Sequence, residues 1–260
     1  MKKLFVLLLF LICTSNSNLF SQDDELDNFS FETEPLKSES TQYFAVGAGY
    51  NFNFLMMNYD EVNKYVVDKL RLDKFKGVFT IHGVQGFTGL VVIPNTRLGF
   101  FGMTGSKEVS KENSALNTKM TSELIVSVNG FSLDYGIVPF KGFAILPGFN
   151  FGWGNYTLET IESPTKLDWG KIDKINIDSA KMNRINNKFM FIQPQLSFEY
   201  AVTNFAMLRA NVNYNLTFDN PLADKSWTFN KEAEIKNPPS KLNSNGLGIQ
   251  IGIYLGLFNY

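Results

Sequence analysis

From Gln42 onward, apolar and polar residues alternate with a period of two. The longest clean case is 204–218. Its even positions read Ala206, Leu208, Ala210, Val212, Tyr214, Leu216 and Phe218; its odd positions include Arg209, Asn211, Asn213, Asn215 and Thr217. Successive side chains of a strand point to opposite faces, so this pattern predicts a strand with one apolar and one polar face. Segments 42–54, 143–155, 188–200 and 246–260 repeat it, with Phe, Ile, Leu and Tyr on one parity and Gly, Asn and Gln on the other. Gln193 and Gln250 fall on the polar parity.

Two further runs, 78–93 and 96–105, are strand-like but less regular. An eighth, 121–138, changes phase: Leu124, Val126 and Val128 share one parity, whereas Phe131, Leu133, Tyr135 and Ile137 share the other. The change falls at Asn129-Gly130, which suits either a tight hairpin or a bulge. Connection lengths decide for the bulge. With eight strands, short links (94–95, 139–141, 201–203) alternate with long ones (55–76, 106–120, 159–187, 220–244). Short turns then gather at one end of an up-and-down sheet and long loops at the other, as in membrane barrels, whose strand number is even. The expectation is one antiparallel up-and-down transmembrane β-barrel over 42–260, of about eight strands, with ten as the alternative. In the first long loop Val62, Tyr65, Val66, Lys69 and Leu70 recur at helical spacing, predicting a short helix over 58–73. It has three possible roles, plugging the lumen, capping the mouth or lying at the membrane interface, of which the cap is favoured.

The chemistry of the faces supports a barrel over a soluble sandwich. A sandwich would turn its polar faces to water and carry Lys and Glu there, whereas these faces carry small uncharged residues suited to a closed interior. Charges collect in the predicted loops, and the apolar faces are free of them, as contact with hydrocarbon demands. The 24 basic and 25 acidic residues balance, which excludes a general nucleic-acid binder. One His and one Cys exclude a disulfide framework and multi-His or Cys-based metal centres. No cofactor is implied. Lys2-Lys3 followed by the apolar run 4–12 reads as an export signal over 1–22, too short to span a membrane. Cys13 is preceded by Ile12, a poor fit to a lipidation signal. Residues 23–41 carry seven acidic side chains against Lys37 alone and read as a solvated leader.

An export signal, alternating strands, three short turns and a last strand ending in Phe258 and Tyr260 resemble the small outer-membrane β-barrel proteins of Gram-negative bacteria. The resemblance implies an outer-membrane location, contact with outer-membrane lipid, and recognition of the terminal aromatic by the barrel-assembly machinery. Phe258 and Tyr260, however, fall on the inward parity. Tyr200, Phe218 and Phe258 are the expected aromatic girdle. Functions in this class range from structural proteins and adhesins to small pores and lipid-modifying enzymes. Some of these enzymes cut acyl chains from lipid A with His and Ser, which makes His82 the catalytic candidate, with Ser127 or Ser132 as its partner. The bland reading, a structural His on a wall strand, is preferred because no Ser follows at close spacing. The inward charges are Glu123, Asp134, Glu199, Arg209 and Arg97. With Gln193 and Gln250 they are expected to form a polar lumen network, since an unpaired charge there is costly. The inward glycines (Gly47, Gly49, Gly148, Gly152, Gly154, Gly248, Gly252, Gly256) leave room for a small lipophilic or polar ligand. The function expected is therefore non-enzymatic: structural, ligand-binding or narrowly conducting. The alternatives are a His82 lipid hydrolase and a soluble periplasmic lipid-binding barrel.

Overall fold

Each alternating segment forms a strand that pairs antiparallel with its neighbours. The structure is a computed structural model describing residues 42–166, 168–170, 181–238 and 244–260. The expected export signal (1–22) and acidic leader (23–41) lie outside the described residues. Among the described residues eight long strands form the wall: β1 (Phe44–Met57), β2 (Phe79–Gly89), β3 (Thr96–Asn113), β4 (Thr118–Tyr135), β5 (Phe143–Pro164), β6 (Lys181–Thr203), β7 (Ala206–Asp219) and β8 (Gly246–Asn259). Each pairs with the next, and β8 returns to β1, Phe44 opposite Asn259 and Met57 opposite Gly246. The sheet is closed. Followed around the wall from Val46, the register returns to β1 at Met56, so the strands tilt as closure requires. A barrel of eight strands has an interior just wide enough for side chains to fill.

The alternation orients every strand. On β8 the outward residues Leu247, Ile249, Ile251, Ile253, Leu255 and Leu257 are 42–69 % exposed, while Tyr254 between them is fully buried. Tyr200 and Phe218 also face outward. Phe258 and Tyr260 face inward, buried beside Tyr43, whose ring stacks on Tyr260 at 4.9 Å. Phe258 is therefore no part of an outer girdle.

Strand β4 does not have the expected bulge at Asn129-Gly130. Its register runs unbroken past Asn129 and Gly130 on both sides, and Ser122, Leu124, Val126, Val128, Gly130, Ser132 and Asp134 all face inward. What changes is the interior itself. Near the short-turn end it is an apolar plug of Tyr43, Ala45, Phe87, Leu146, Met207 and Phe258. The middle is polar. Toward the long-loop end it is apolar again, built from Leu55, Phe79, Phe101, Leu124, Val126, Tyr156, Leu158 and Phe189. Leu124, Val126 and Val128 belong to that upper core, so the inward parity turns greasy without any bulge.

A second difference concerns loop length. Segment 106–120, expected as a loop, is mostly strand: β3 and β4 run on as a ladder to Asn113 and Thr118. Strands β5 and β6 likewise continue well beyond the expected ends. Backbone pairing maintains these extensions although their outer faces, the Ile161–Met182 pair apart, are polar.

The predicted helix is present in shorter form, an α-turn at Asp60–Asn63 continuing as a π-helix at Lys64–Lys69. Val62, Val66, Leu72 and Phe75 are buried against the upper core. Asn63 fastens the segment, its Oδ1 accepting from Phe75 N at 2.8 Å and its Nδ2 donating to Phe75 O at 3.0 Å. Lys107 Nζ donates to the carbonyls of Lys76 and Val78. The segment caps the mouth.

Candidate functional site

The polar middle layer holds the charged side chains, and two cross-strand pairs organise it. Arg97 on β3 lies opposite Asp134 on β4; Glu199 on β6 lies opposite Arg209 on β7. Arg97 Nε and Nη2 donate to Asp134 Oδ2 at 3.1 and 2.7 Å. Arg209 Nε donates to Glu199 Oε1 at 2.7 Å. The pairs join across the lumen where Arg97 Nη1 donates to Glu199 Oε1 at 2.5 Å. Two guanidinium groups and two carboxylates thus form a neutral cluster, with Arg97 and Glu199 wholly buried.

Neutral groups take up most of the remaining hydrogen-bonding capacity. Tyr43 Oη donates to Glu199 Oε2 and accepts from Arg97 Nη1, both at 2.9 Å. Gln195 Nε2 donates to Asp134 Oδ1 at 2.7 Å. Arg209 Nη1 donates to Gln85 Oε1 at 3.0 Å and Tyr254 Oη at 2.8 Å. The Phe87 ring lies near both guanidinium groups, 4.3 Å from Arg97 Cζ and 4.8 Å from Arg209 Cζ. Buried charges are tolerable only when paired and hydrogen-bonded this thoroughly.

Above the cluster, Gln193 accepts from Asn150 Nδ2 at 2.6 Å and donates to Asn213 Oδ1 at 3.0 Å. Gln250 is buried facing a cavity of about 20 Å³ at the junction with the upper apolar core. That is room for about one water molecule. Among the described residues the inward glycines do not leave a ligand-sized void. Asp134 lies over Gly148, Phe189 over Gly154 and Asn51 over Gly252, so each glycine makes space for a neighbouring side chain.

Of the residues singled out from sequence, the structure brings Arg97, Asp134, Glu199 and Arg209 into one cluster and places Gln193 and Gln250 just above it. Glu123 is not among them. Its neighbours Ser122 and Leu124 are the buried ones, so Glu123 takes the outer parity, opposite Glu108 on β3 and Glu159 on β5. The β4 parity runs unbroken, which turns Glu123 outward while Asp134 stays inward. Sequence reasoning did not single out Tyr43, Gln85, Phe87 and Tyr254; Tyr254 was detectable by its inward parity.

His82 is on the outer face. Its Nδ1 is 2.5 Å from Tyr50 Oη, and its ring lies beside those of Tyr50 and Phe52. Ser127 is two strands away with Thr104 between, and Thr104 Oγ1 and Ser127 Oγ bond each other at 2.8 Å. Ser132 faces the lumen. The base and the proposed nucleophiles are thus not hydrogen-bonded to one another.

Neither a protein-family model nor a curated protein matches the chain. Among solved structures it is similar to Ail, the attachment invasion locus protein of Yersinia pestis, crystallised with the heparin analogue sucrose octasulfate: 9 % identity, 84 % of this chain and 99 % of that one, TM-score 0.36. It is also similar to a major outer membrane protein from Thermus thermophilus: 8 % identity, 81 % and 99 % coverage, TM-score 0.41. The barrel assignment rests on the strand register of this chain.

Proposed function

We propose that the protein is a non-enzymatic β-barrel of the outer membrane with a sealed, structural lumen. The observation that carries this reading is the reversal of ordinary burial: the outer wall exposes Phe, Leu, Ile, Val and Trp around its circumference, while Arg97 and Glu199 are buried inside. Such an apolar band suits hydrocarbon, and a soluble barrel would leave it in water. A soluble periplasmic lipid carrier would further need an open apolar cavity, and here the upper lumen is filled by its own cap.

Inside, the charged cluster links β3, β4, β6 and β7, so the lumen acts as a brace. The apolar plug below and the cap above flank this layer, which favours a structural role over conduction. His82, turned outward and bonded to Tyr50, supports a non-enzymatic reading. The partners on this reading are outer-membrane lipid and, during biogenesis, the barrel-assembly machinery.

Cell fractionation and planar-bilayer recording test the proposal together. The protein should require detergent for release, migrate differently on gels when boiled, and give no discrete channel currents. Release by osmotic shock alone would remove the membrane placement; steady unitary currents would remove the sealed lumen. Lipid A composition should be the same in cells carrying wild type and His82→Ala, and a difference would restore the hydrolase.

A further inference from the structure

The outer wall is not uniform. On β1 and on β5 through β8 the exposed apolar band is tall, reaching from Phe44 to Met56 on β1 and from Leu257 to Leu247 on β8. On β2, β3 and β4 it stops lower, at Val84, Phe100 and Phe131, with Leu98 and Tyr135 beneath. Directly above these residues the outward positions are His82, Gly102, Thr104, Ser127 and Asn129, with Thr80 beside them. They adjoin one another in register, His82 with Thr104, Thr104 with Ser127, and Gly102 with Asn129. His82 also pairs with Phe52, an exposed residue of the tall band on β1. A polar window therefore opens in the wall at a height where the neighbouring strands present hydrocarbon.

The window satisfies only part of its own hydrogen-bonding capacity. Thr104 and Ser127 bond each other and His82 bonds Tyr50. The Asn129 carboxamide, on the outer face against the Gly102 backbone, has no side-chain partner among the described residues. Polar groups facing lipid are costly, and an apolar face shorter than the bilayer is accommodated by thinning the membrane or by association.

We propose that a second copy of this chain covers the window, the two barrels meeting through their β2–β4 walls about a two-fold axis. Ser, Thr and Asn side chains each donate and accept, so the patch is complementary to itself, as an isologous contact requires. It holds no carboxylate, ammonium or guanidinium group that would drive two copies apart. Phe100 and Phe131, their rings 5.3 Å apart, give it an apolar lower flank. Further up the same outer wall, Glu108 lies opposite Glu123 and pairs with Lys119 at 3.5 Å, so charges of both signs sit there and can meet their opposites across a two-fold axis.

This inference rests on the membrane placement proposed above, and its test separates the two. In a full chain carrying Cys13→Ser, Asn129→Cys and, separately, Ile251→Cys on the opposite wall are introduced and the protein is reconstituted in phosphatidylcholine vesicles. Heat-modifiable migration first establishes a folded membrane barrel. Under mild oxidation Asn129→Cys should then form an inter-chain disulfide in yield roughly tenfold above Ile251→Cys, and Asn129→Leu with Thr104→Val should weaken self-association of the Cys13→Ser chain by a similar factor. Equal cross-linking at both walls, none at either in a folded barrel, or a monomer retaining bound lipid A overturns the dimer while leaving the membrane placement intact. Failure to insert into vesicles overturns both.

Discussion

Arg97 on β3 and Glu199 on β6 meet across the lumen, Nη1 2.5 Å from Oε1, and neither side chain is reached by solvent. This contact turns two cross-strand ion pairs into one brace. Glu199 accepts from both guanidinium groups, so Glu199→Ala leaves two buried cations against Asp134 alone. Removing one partner of a buried pair costs about 3–5 kcal/mol. Urea unfolding in detergent micelles should show a correspondingly lower midpoint, with Glu199→Gln intermediate because it keeps the shape and loses the charge. An unchanged midpoint for the alanine variant would mean that the brace contributes nothing.

The brace also depends on a glycine. A Cβ on Gly49 would lie 2.2 Å from the Ile253 carbonyl oxygen and 2.5 Å from Tyr254 Cδ1. Tyr254 is held in place by Arg209, Gln85 and Asn51. Gly49→Ala must displace that ring and should cost about 1–3 kcal/mol. Gly86 on the outer face has no neighbouring atom nearer than 3.9 Å, so Gly86→Ala should stay within about 0.5 kcal/mol of wild type. Equal losses at the two positions in the same urea assay would contradict the packing described for Tyr254.

The barrel was legible in the sequence because its two faces meet different media. Asn211, Asn213 and Asn215 against Val212, Tyr214 and Leu216 give the direction of β7 at once. The same logic misled at β4. Leu124, Val126 and Val128 are apolar because they join the core under the cap, and no single-strand pattern distinguishes an apolar lumen from lipid. The strand extension over 106–113 was hidden for a related reason: no hydrocarbon marks its outer face, so only pairing with β4 defines it. In the charged cluster, Glu199 beside Arg209 could be read from adjacent strands. The Arg97–Glu199 bond could not, since it depends on the diameter and stagger of the closed barrel.

The cap should open before the barrel does. Asn63 carries two of its anchoring bonds, both to the backbone of Phe75. Asn63→Ala forfeits them and strands a buried backbone group, a loss of about 1–3 kcal/mol local to the cap. Cleavage of a transiently open segment follows its open population. Trypsin should therefore cut at Lys64, Lys69 or Arg71 roughly ten- to a hundredfold faster in the variant. Heat-modifiable migration should be unaltered, because the eight-stranded wall below does not use Asn63. Loss of barrel migration together with faster cutting would show that the cap and wall unfold as one unit.

Tyr59 gives the cap a pH dependence of predictable sign. Burial pushes its phenol from 10.0 up to about 12, and its hydroxyl has no hydrogen-bond partner among the described residues. A group that binds its proton more tightly when folded contributes stability that is complete below its unfolded value and is lost as pH rises through the folded one. The window is therefore pH 10 to about 12. Tyr59→Phe removes both the titration and an unsatisfied hydroxyl, so at neutral pH it should match wild type or exceed it by about 1 kcal/mol. Between pH 10 and about 12 wild type should lose stability more steeply than Tyr59→Phe, as urea midpoints measured on the two proteins side by side would show. A Tyr59 phenolate appearing near pH 10 in the wild-type minus Tyr59→Phe ultraviolet titration would mean that the hydroxyl meets water and that the mouth of the barrel stands open.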